Sequence, residues 1–122
     1  MEKKFDVLVV GYSGYDLAIG PVPSNIMDID SGTAPNRIIT VGGDGINAAT
    51  SFAHLGCKTA IATAVGRDMF AKTVLDHLEE HGIARDFVTE IEDIPTALTL
   101  LLIGEDGERH CLIQGAVKEG LL

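Results

Sequence analysis

The alternation of short apolar runs with amphipathic segments between residues 37 and 91 restricts the fold of this chain most. RIITVGG, KTAIATAVG and DFVTEI have the composition of strands. Between them, INAATSFAHLG and DMFAKTVLDHLEEHG carry apolar residues at helical spacing, and each helical pattern ends at a glycine, Gly56 or Gly82. Asp68 is placed to cap the second helix. The order of elements favours a parallel sheet with crossover helices, so we predict an α/β fold.

The segments on either side of this alternation predict further strands. FDVLVVGYS is a nearly continuous apolar run, which is typical of a strand buried on both faces. YDLAIGPVP predicts a second extended piece, and TALTLLLIGEDGERHCLIQG predicts a separate hairpin with its turn at Asp106-Gly107. Only AVKEGLL follows the hairpin. A parallel sheet with so few strands would have two open edges. We therefore expect residues 1–122 to form a single partial domain, the N-terminal part of a larger α/β domain.

The composition argues against several classes of function. The 122 residues include 18 Asp and Glu but 9 Lys and Arg, and the resulting net charge of −9 would repel the phosphates of a nucleic acid. The chain has neither an apolar run long enough for a membrane span nor a recognisable signal peptide. Cys57 and Cys111 are far apart in sequence, and we interpret them as reduced thiols of a cytoplasmic protein.

A glycine-rich turn between a strand and a helix raises the possibility of a dinucleotide site. Gly43-x-Gly45-x-x-Ala48 fits the G-x-G-x-x-G/A pattern, and the acidic Asp68 lies about twenty residues further on. However, this pattern normally follows the first strand of its fold, and Asp68 stands where a helix cap would stand. A lone glycine fingerprint is weak evidence, and the absence of Gly-Lys-Ser/Thr excludes a P-loop.

The segment HLEEH, from His77 to His81, formally matches the zinc-binding pattern H-x-x-E-H. Its position in the last turns of an amphipathic helix favours a simpler interpretation, because cationic and polar residues suit a helix C-terminus. The other candidate metal ligands are likewise interpreted as packing or surface residues: His54, His110, Cys57 and Cys111.

A third candidate site combines residues that follow two strand ends. Asp16 lies just past the first strand, Gly42 and Gly43 follow a later strand, and Asn47 begins the next helix. In open α/β sheets, ligands bind outside the carboxyl ends of strands, so Asp16 and Asn47 could converge on one polyol. Asp16 as a turn residue and Asn47 as a helix cap explain the same pattern equally well.

The stretch GGDGINAA, residues 42–49, followed by Gly56 and Gly66, resembles the N-terminal signature of the ribokinase family, the pfkB-type carbohydrate kinases. Gly14-x-Asp16, AVGRDMFAKTVLDHLEEHGI and PTALTLLLIGEDGERHCLIQGA resemble further segments of that family in the same order. The resemblance runs from Phe5 to Ala116 and covers less than half of a family member. It implies a ribokinase-like fold, in which a partial parallel sheet with crossover helices is joined by antiparallel lid strands within about 12–41 and 96–115.

The resemblance also implies an activity, the transfer of the γ-phosphate of ATP to a hydroxyl of a sugar or nucleoside. The sugar would be held by Asp16, Gly42, Gly43 and Asn47. The family's catalytic base, anion hole and adenine pocket belong to a later part, so this chain is expected to contribute no catalytic residue and to bind neither ATP nor Mg²⁺ by itself. Two residues depart from the family pattern, Ala71 in place of a frequent glycine and Val117 in place of a frequent asparagine.

The lid strands suggest an interpretation from a different class. Lid strands with unpaired edges and apolar faces favour pairing with a second copy, and members of the resembled family often dimerise in this way. The chain is therefore expected to form a homo-oligomer, and a non-catalytic assembly module is the alternative to a kinase part.

Overall fold

The computed structural model of the protein describes residues 2–115. In chain order the elements are β1 (Val7–Val10), β2 (Gly14–Val22), a 3-10 turn (Ile26–Asp28), β3 (Asn36–Gly42), α1 (Asp44–His54), β4 (Thr59–Val65), α2 (Met69–Glu80), β5 (Ala84–Glu90), β6 (Leu98–Gly104) and β7 (Arg109–Gln114). They form two sheets, one of three parallel strands and one of four strands in mixed orientation. The predicted α/β class, with a parallel sheet and a set of antiparallel lid strands, is confirmed.

The parallel sheet has the order β1-β4-β5, and both helices pack on one of its faces. The buried side chains between the helices and the sheet form a single cluster that consists of Ile46, Ala49, Ile61, Val65, Ala71, Val74, Leu78 and Ile83. The helix boundaries follow the local signals in the sequence. Asp68 caps α2 by accepting a hydrogen bond from the Ala71 amide at 2.9 Å, and Gly56 and Gly82 follow the two helices with positive φ angles of 89° and 68°.

The second sheet, which we call the lid sheet, consists of β3, β2, β6 and β7 in that order. Strand β2 pairs antiparallel with β3 and parallel with β6, and the β6–β7 hairpin turns at Gly107. The placement of RIITVGG in the parallel sheet, which the strand–helix alternation alone predicts, is therefore wrong. The alternation shows that a helix separates β3 from β4, but it cannot show that β1 rather than β3 lies beside β4, with Val7 opposite Thr59.

Strand β1 is also less buried than its apolar sequence predicts. Val9 faces the helices, whereas the side chains of Leu8 and Val10 on the other face are 51% and 63% exposed. The prediction of burial on both faces is wrong for the described residues because both helices cover the same side of the sheet. Val117, at which the sequence departs from the family pattern, lies outside the described residues. Within residues 2–115, no helix combines the length and the apolarity that a membrane crossing requires.

Candidate functional site

The two sheets meet where β1 ends, β2 begins and β3 runs into α1. The turn between β3 and α1, residues 42–45, is called the glycine turn below. A Cβ atom on Gly45 would lie 2.6 Å from the carbonyl carbon of Gly11, so only glycine allows the two backbones to approach this closely. The Gly45 and Ile46 amides donate hydrogen bonds to the Tyr12 carbonyl at 3.0 and 3.2 Å. The first turn of α1 is thereby docked onto the carboxyl end of β1.

The lid sheet places the Asp16 carboxylate directly against the glycine turn. Gly14 lies opposite Gly42 in the β2–β3 register, and Asp16 lies opposite Thr40, so Asp16 and Gly42 are diagonal neighbours on one face. A Cβ atom on Gly42 would overlap the Asp16 carboxylate. Within residues 2–115 this carboxylate takes part in no ion pair and in no side-chain hydrogen bond. It is partly exposed and is therefore free to accept hydrogen bonds from a ligand.

Tyr12 is a further neighbour of the glycine turn and of the Asp16 charge. A Cβ atom on Gly43, whose φ is +115°, would lie 2.5 Å from a ring carbon of Tyr12, so the ring packs against the glycine turn. Burial raises the pKa of Tyr12, a polar contact with the Thr99 hydroxyl lowers it, and the charges of Asp16 and Asp44 raise it again. Among the described residues the buried Tyr12 hydroxyl has no hydrogen-bond partner of good geometry. The floor of the site therefore contains a neutral phenol beside a free carboxylate.

The pairing of strands in the lid sheet places two threonines beside Asp16, and the sequence analysis did not identify either of them. Thr40 on β3 and Thr99 on β6 both lie opposite Asp16, so all three side chains project from the same face of the lid sheet. Thr99 is nearly buried, whereas Thr40 is exposed. The sequence shows which residues of a strand share a face, because side chains alternate between the two faces. It does not show the pairing of strands that places Thr40 and Thr99 opposite Asp16.

Asn47 occupies a different position from the other predicted site residues. It lies one turn into α1, where its amide donates a hydrogen bond to the Gly43 carbonyl at 3.0 Å and its side chain is exposed. The structure therefore brings Asp16 into contact with Gly42, and Gly43 is the next residue of the same turn. In the part of the chain that the structure describes, no hydrogen bond connects the Asn47 side chain with Asp16.

The glycine turn does not have the geometry of a phosphate cradle. The amides of Gly45, Ile46 and Asn47 already donate to backbone carbonyls, and the Asp44 carboxylate accepts from the Tyr12 and Gly45 amides at 3.1 and 2.7 Å. A carboxylate in the first turn of α1 would also repel an anion. These contacts argue against a dinucleotide pyrophosphate at this helix N-terminus.

Asp68, the acidic residue of the possible dinucleotide pattern, has its carboxylate engaged in hydrogen bonds within the protein. Besides capping α2, its second oxygen accepts a hydrogen bond from the Thr96 amide at 2.9 Å, just before β6. Partial burial would raise the pKa of Asp68, but the hydrogen bonds from Ala71 and Thr96 outweigh it and lower the pKa. Asp68 therefore connects α2 to the start of the lid sheet.

His77 and His81 of HLEEH both contact side chains of α1. The Nε2 atom of His77 lies 2.9 Å from the Thr50 hydroxyl, and the Nδ1 atom of His81 lies 3.0 Å from Nε2 of His54. Within residues 2–115 no three side chains of His, Cys, Asp or Glu converge as metal ligands. Both cysteines of the chain, Cys57 and Cys111, belong to this part and are free thiols.

Comparison with known proteins connects this geometry to a family. The model of the pfkB family of carbohydrate kinases matches residues 4–119. The chain is 30% identical over 116 residues to the deoxyribokinase of Salmonella typhi, an alignment that covers 93% of this chain and 37% of the relative. It is 25% identical over 89 residues to the ribokinase of Haemophilus influenzae, which covers 73% of this chain and 29% of the relative. The chain thus spans about a third of the length of the curated relatives that it matches.

A solved structure shares the fold. The structure of Arabidopsis thaliana ribokinase complexed with ribose and ATP superposes with a TM-score of 0.78 at 24% identity, over 89% of this chain and 36% of that chain. At this identity the likeness concerns the fold, including the division into a parallel sheet and a lid sheet.

Proposed function

Because the chain belongs to the pfkB family of carbohydrate kinases, we propose that it forms the acceptor-binding part of an ATP-dependent kinase whose substrate is a sugar or a nucleoside. The observation that carries the proposal is the Asp16 carboxylate, which has no partner within residues 2–115 and is held against Gly42 at the junction of the two sheets. A carboxylate can accept hydrogen bonds from two neighbouring hydroxyls, which is the recognition that a polyol requires.

In this proposal each part of the junction has a separate task. Asp16 accepts hydrogen bonds from the acceptor hydroxyls, and the Thr40 and Thr99 hydroxyls on the same face extend the polar surface. Gly42 and Gly43 allow Asp16 and Tyr12 to pack against the backbone beside the ligand, because a side chain at either position would collide with them. Asn47 would reach the same ligand from α1. The lid sheet would cover the acceptor and exclude water from it.

The described residues do not fit Mg-ATP. The amides of Gly45, Ile46 and Asn47 are engaged within the protein, and the nearby side chains of Asp16 and Asp44 are acidic. A triphosphate would need free amides or basic side chains at this point. We therefore assign no step of phosphoryl transfer to these residues, and we place the nucleotide, the metal and the catalytic base in the part of the family domain that this chain does not span.

The parallel sheet is consistent with a partial domain. Strand β1 lies at an edge of the described sheet, and the uncovered face presents Leu8, Val10 and the 46% exposed side chain of Phe87. Residues of this kind are normally buried in parallel sheets, which are covered by helices on both faces. We propose that residues 1–122 are one part of a ribokinase-like α/β domain and are catalytically inactive alone.

Calorimetric titration tests the acceptor site directly. Pentoses, hexoses and nucleosides would be titrated into the wild-type chain and into Asp16→Asn, which removes the charge and one acceptor oxygen but keeps the shape. Asp28→Asn, an exposed aspartate in the 3-10 turn, is the matched control for the change in charge. We expect at least one sugar to bind the wild type and the control, with a loss of about tenfold or more in Asp16→Asn. Equal affinities in all three proteins would contradict the proposal.

A second function, assembly through the lid sheet, is favoured by its exposed apolar side chains. Ile38 on β3 and Ile113 on β7 are 65% and 61% exposed, and both project from the face that carries Asp16. The two edge strands of the lid sheet, β3 and β7, each have one side unpaired within the described residues. We expect a homodimer in light scattering, and a shift toward monomer in Ile38→Lys. A wild-type chain that stays monomeric at working concentration would rule this function out.

A further inference from the structure

Three histidines meet at the end of the helical layer that lies away from the glycine turn. His54 is the last residue of α1, and His77 and His81 lie at the end of α2. The His54 and His81 rings have centroids 5.0 Å apart, and those of His77 and His81 are separated by 4.3 Å. Because α1 spans 11 residues, the cluster lies about 15 Å from the acceptor site. It needs a separate explanation.

The hydrogen bonds of the Thr50 hydroxyl distinguish His77 from the other two histidines. The Thr50 hydroxyl donates to the Ile46 carbonyl at 2.7 Å, and a hydroxyl has a single hydrogen to donate. At the 2.9 Å contact with His77 it must therefore act as acceptor, so Nε2 of His77 carries a proton. That nitrogen has no lone pair for a metal, so His77 and His81 cannot chelate an ion through this atom.

His54 and His81 instead form a hydrogen bond with each other, in which either ring can be the donor because no other group within residues 2–115 fixes the position of the proton. The two atoms, Nε2 of His54 and Nδ1 of His81, lie 3.0 Å apart. Zn–N bonds of about 2.0–2.1 Å place two neighbouring imidazole nitrogens on one ion about 2.9–3.4 Å apart. The hydrogen-bonded separation of 3.0 Å lies within this range, and the donor ring would bind the ion as its other neutral tautomer, with the proton on its second nitrogen. Because the contact lies at the surface, both rings can turn their lone pairs toward an ion between them.

The electrostatic surroundings of this pair favour a cation. His54 ends α1 and His81 is the C-cap of α2, so the negative ends of two helix dipoles meet at the pair. Glu79 and Glu80 lie in the last turn of α2, directly before His81. Imidazole nitrogen is a preferred ligand of Zn²⁺, Ni²⁺ and Cu²⁺.

We infer that His54 and His81 form a chelating site for a divalent transition-metal ion such as Zn²⁺, which would join the C-terminal ends of α1 and α2. The described residues supply two ligands, and water completes the coordination, because no third side chain of His, Cys, Asp or Glu converges there within residues 2–115. The bound ion would clamp the two helices that cover the parallel sheet.

Titration of the metal-free chain with Zn²⁺ alone tests the inference. Competition with a chromophoric chelator at pH 7.5 would give the affinity and stoichiometry, and the long-range ¹H–¹⁵N NMR spectrum would show which imidazoles are bound. We expect one ion per chain, with His54 and His81 as the perturbed rings. Since the second ligand binds within the same molecule, His54→Gln or His81→Gln should weaken the affinity on the order of a hundredfold.

Two further variants distinguish this pair from other histidines. His110→Gln removes an exposed histidine of β7 and is the matched control, which should bind Zn²⁺ like the wild type. His77→Gln should also retain binding. Unchanged affinity in His54→Gln, or a loss in His77→Gln without a loss in His54→Gln, would overturn the inference. The NMR spectrum reports the ligands even if a variant is less stable.

Discussion

Asp68 offers the sharpest test of how the helical layer is coupled to the lid sheet. One oxygen of its carboxylate accepts from the Ala71 amide and the other from the Thr96 amide, both at 2.9 Å. The Thr96 hydroxyl in turn accepts from the Gly66 amide at 2.8 Å. Asp68→Ala removes both acceptors and leaves the Thr96 amide, in a residue that is 1% exposed, without a partner.

The expected destabilisation follows from these two bonds. Loss of an N-cap costs about 1 kcal/mol, and a buried amide left without an acceptor costs about 1–3 kcal/mol. The free energy of unfolding of Asp68→Ala should therefore fall by about 2–4 kcal/mol. With a urea m-value of about 2 kcal/mol/M, the unfolding midpoint should fall by about 1–2 M.

Asp68→Asn separates the two contributions, because an amide has one acceptor oxygen where the carboxylate has two. It should keep one of the two hydrogen bonds and lose roughly half of what Asp68→Ala loses. Urea unfolding followed by circular dichroism measures all three proteins, with Asp28→Asn as a control that should match the wild type. An Asn variant as stable as the wild type, or an Ala variant within about 0.5 kcal/mol of it, would refute the reasoning.

The same site predicts the direction of a pH effect. The pKa of Asp68 is lowered in the folded protein, so the folded state holds the charged form more strongly than the unfolded chain does. The stabilisation is present above the unfolded pKa of about 3.9 and is lost as the pH falls through the lower folded value. The difference in stability between wild type and Asp68→Asn should therefore shrink below about pH 4.

Two further substitutions test the surroundings of the glycine turn by urea unfolding. Tyr12→Phe removes a buried hydroxyl that has no hydrogen-bond partner of good geometry within residues 2–115, so we expect it to raise the unfolding free energy by about 1 kcal/mol. A loss of stability would show that the contact with Thr99 satisfies the hydroxyl in solution. Gly45→Ala would place a Cβ atom 2.6 Å from the Gly11 carbonyl carbon and should lower the free energy of unfolding by about 1–3 kcal/mol. The control Ser51→Ala, on the exposed face of α1, should change it little. Equal effects of the two substitutions would contradict the close packing.

The sequence predicts those parts of the fold whose signals are local. The boundaries of α2 follow from a cap at Asp68 and a glycine at Gly82, which act within one turn of the helix. The β6–β7 hairpin likewise follows from its Asp106-Gly107 turn. In both cases the interacting groups are neighbours in the chain, so the pattern contains the physical cause.

Partners that are distant in sequence could not be predicted in the same way. The sheet that contains β3, the alignment of Thr99 with Asp16 and the contact of His54 with His81 all depend on which elements meet in space. The exposure of Leu8 and Val10 has the same origin, because the run of apolar residues cannot show on which face the helices pack.

The glycine turn combines both situations, and this explains why its sequence is ambiguous. Its spacing is local and fits a phosphate cradle, but the amides of Gly45, Ile46 and Asn47 donate to the carbonyls of Tyr12 and Gly43. Gly45 and Gly43 are glycines because Gly11 and Tyr12 pack against their backbone, and Gly42 is one because Asp16 does. The turn therefore brings a carboxylate, rather than a phosphate, to the junction of the two sheets. A carboxylate at that point can accept hydrogen bonds from the hydroxyls of a ligand, which is the role that the proposed function gives to Asp16.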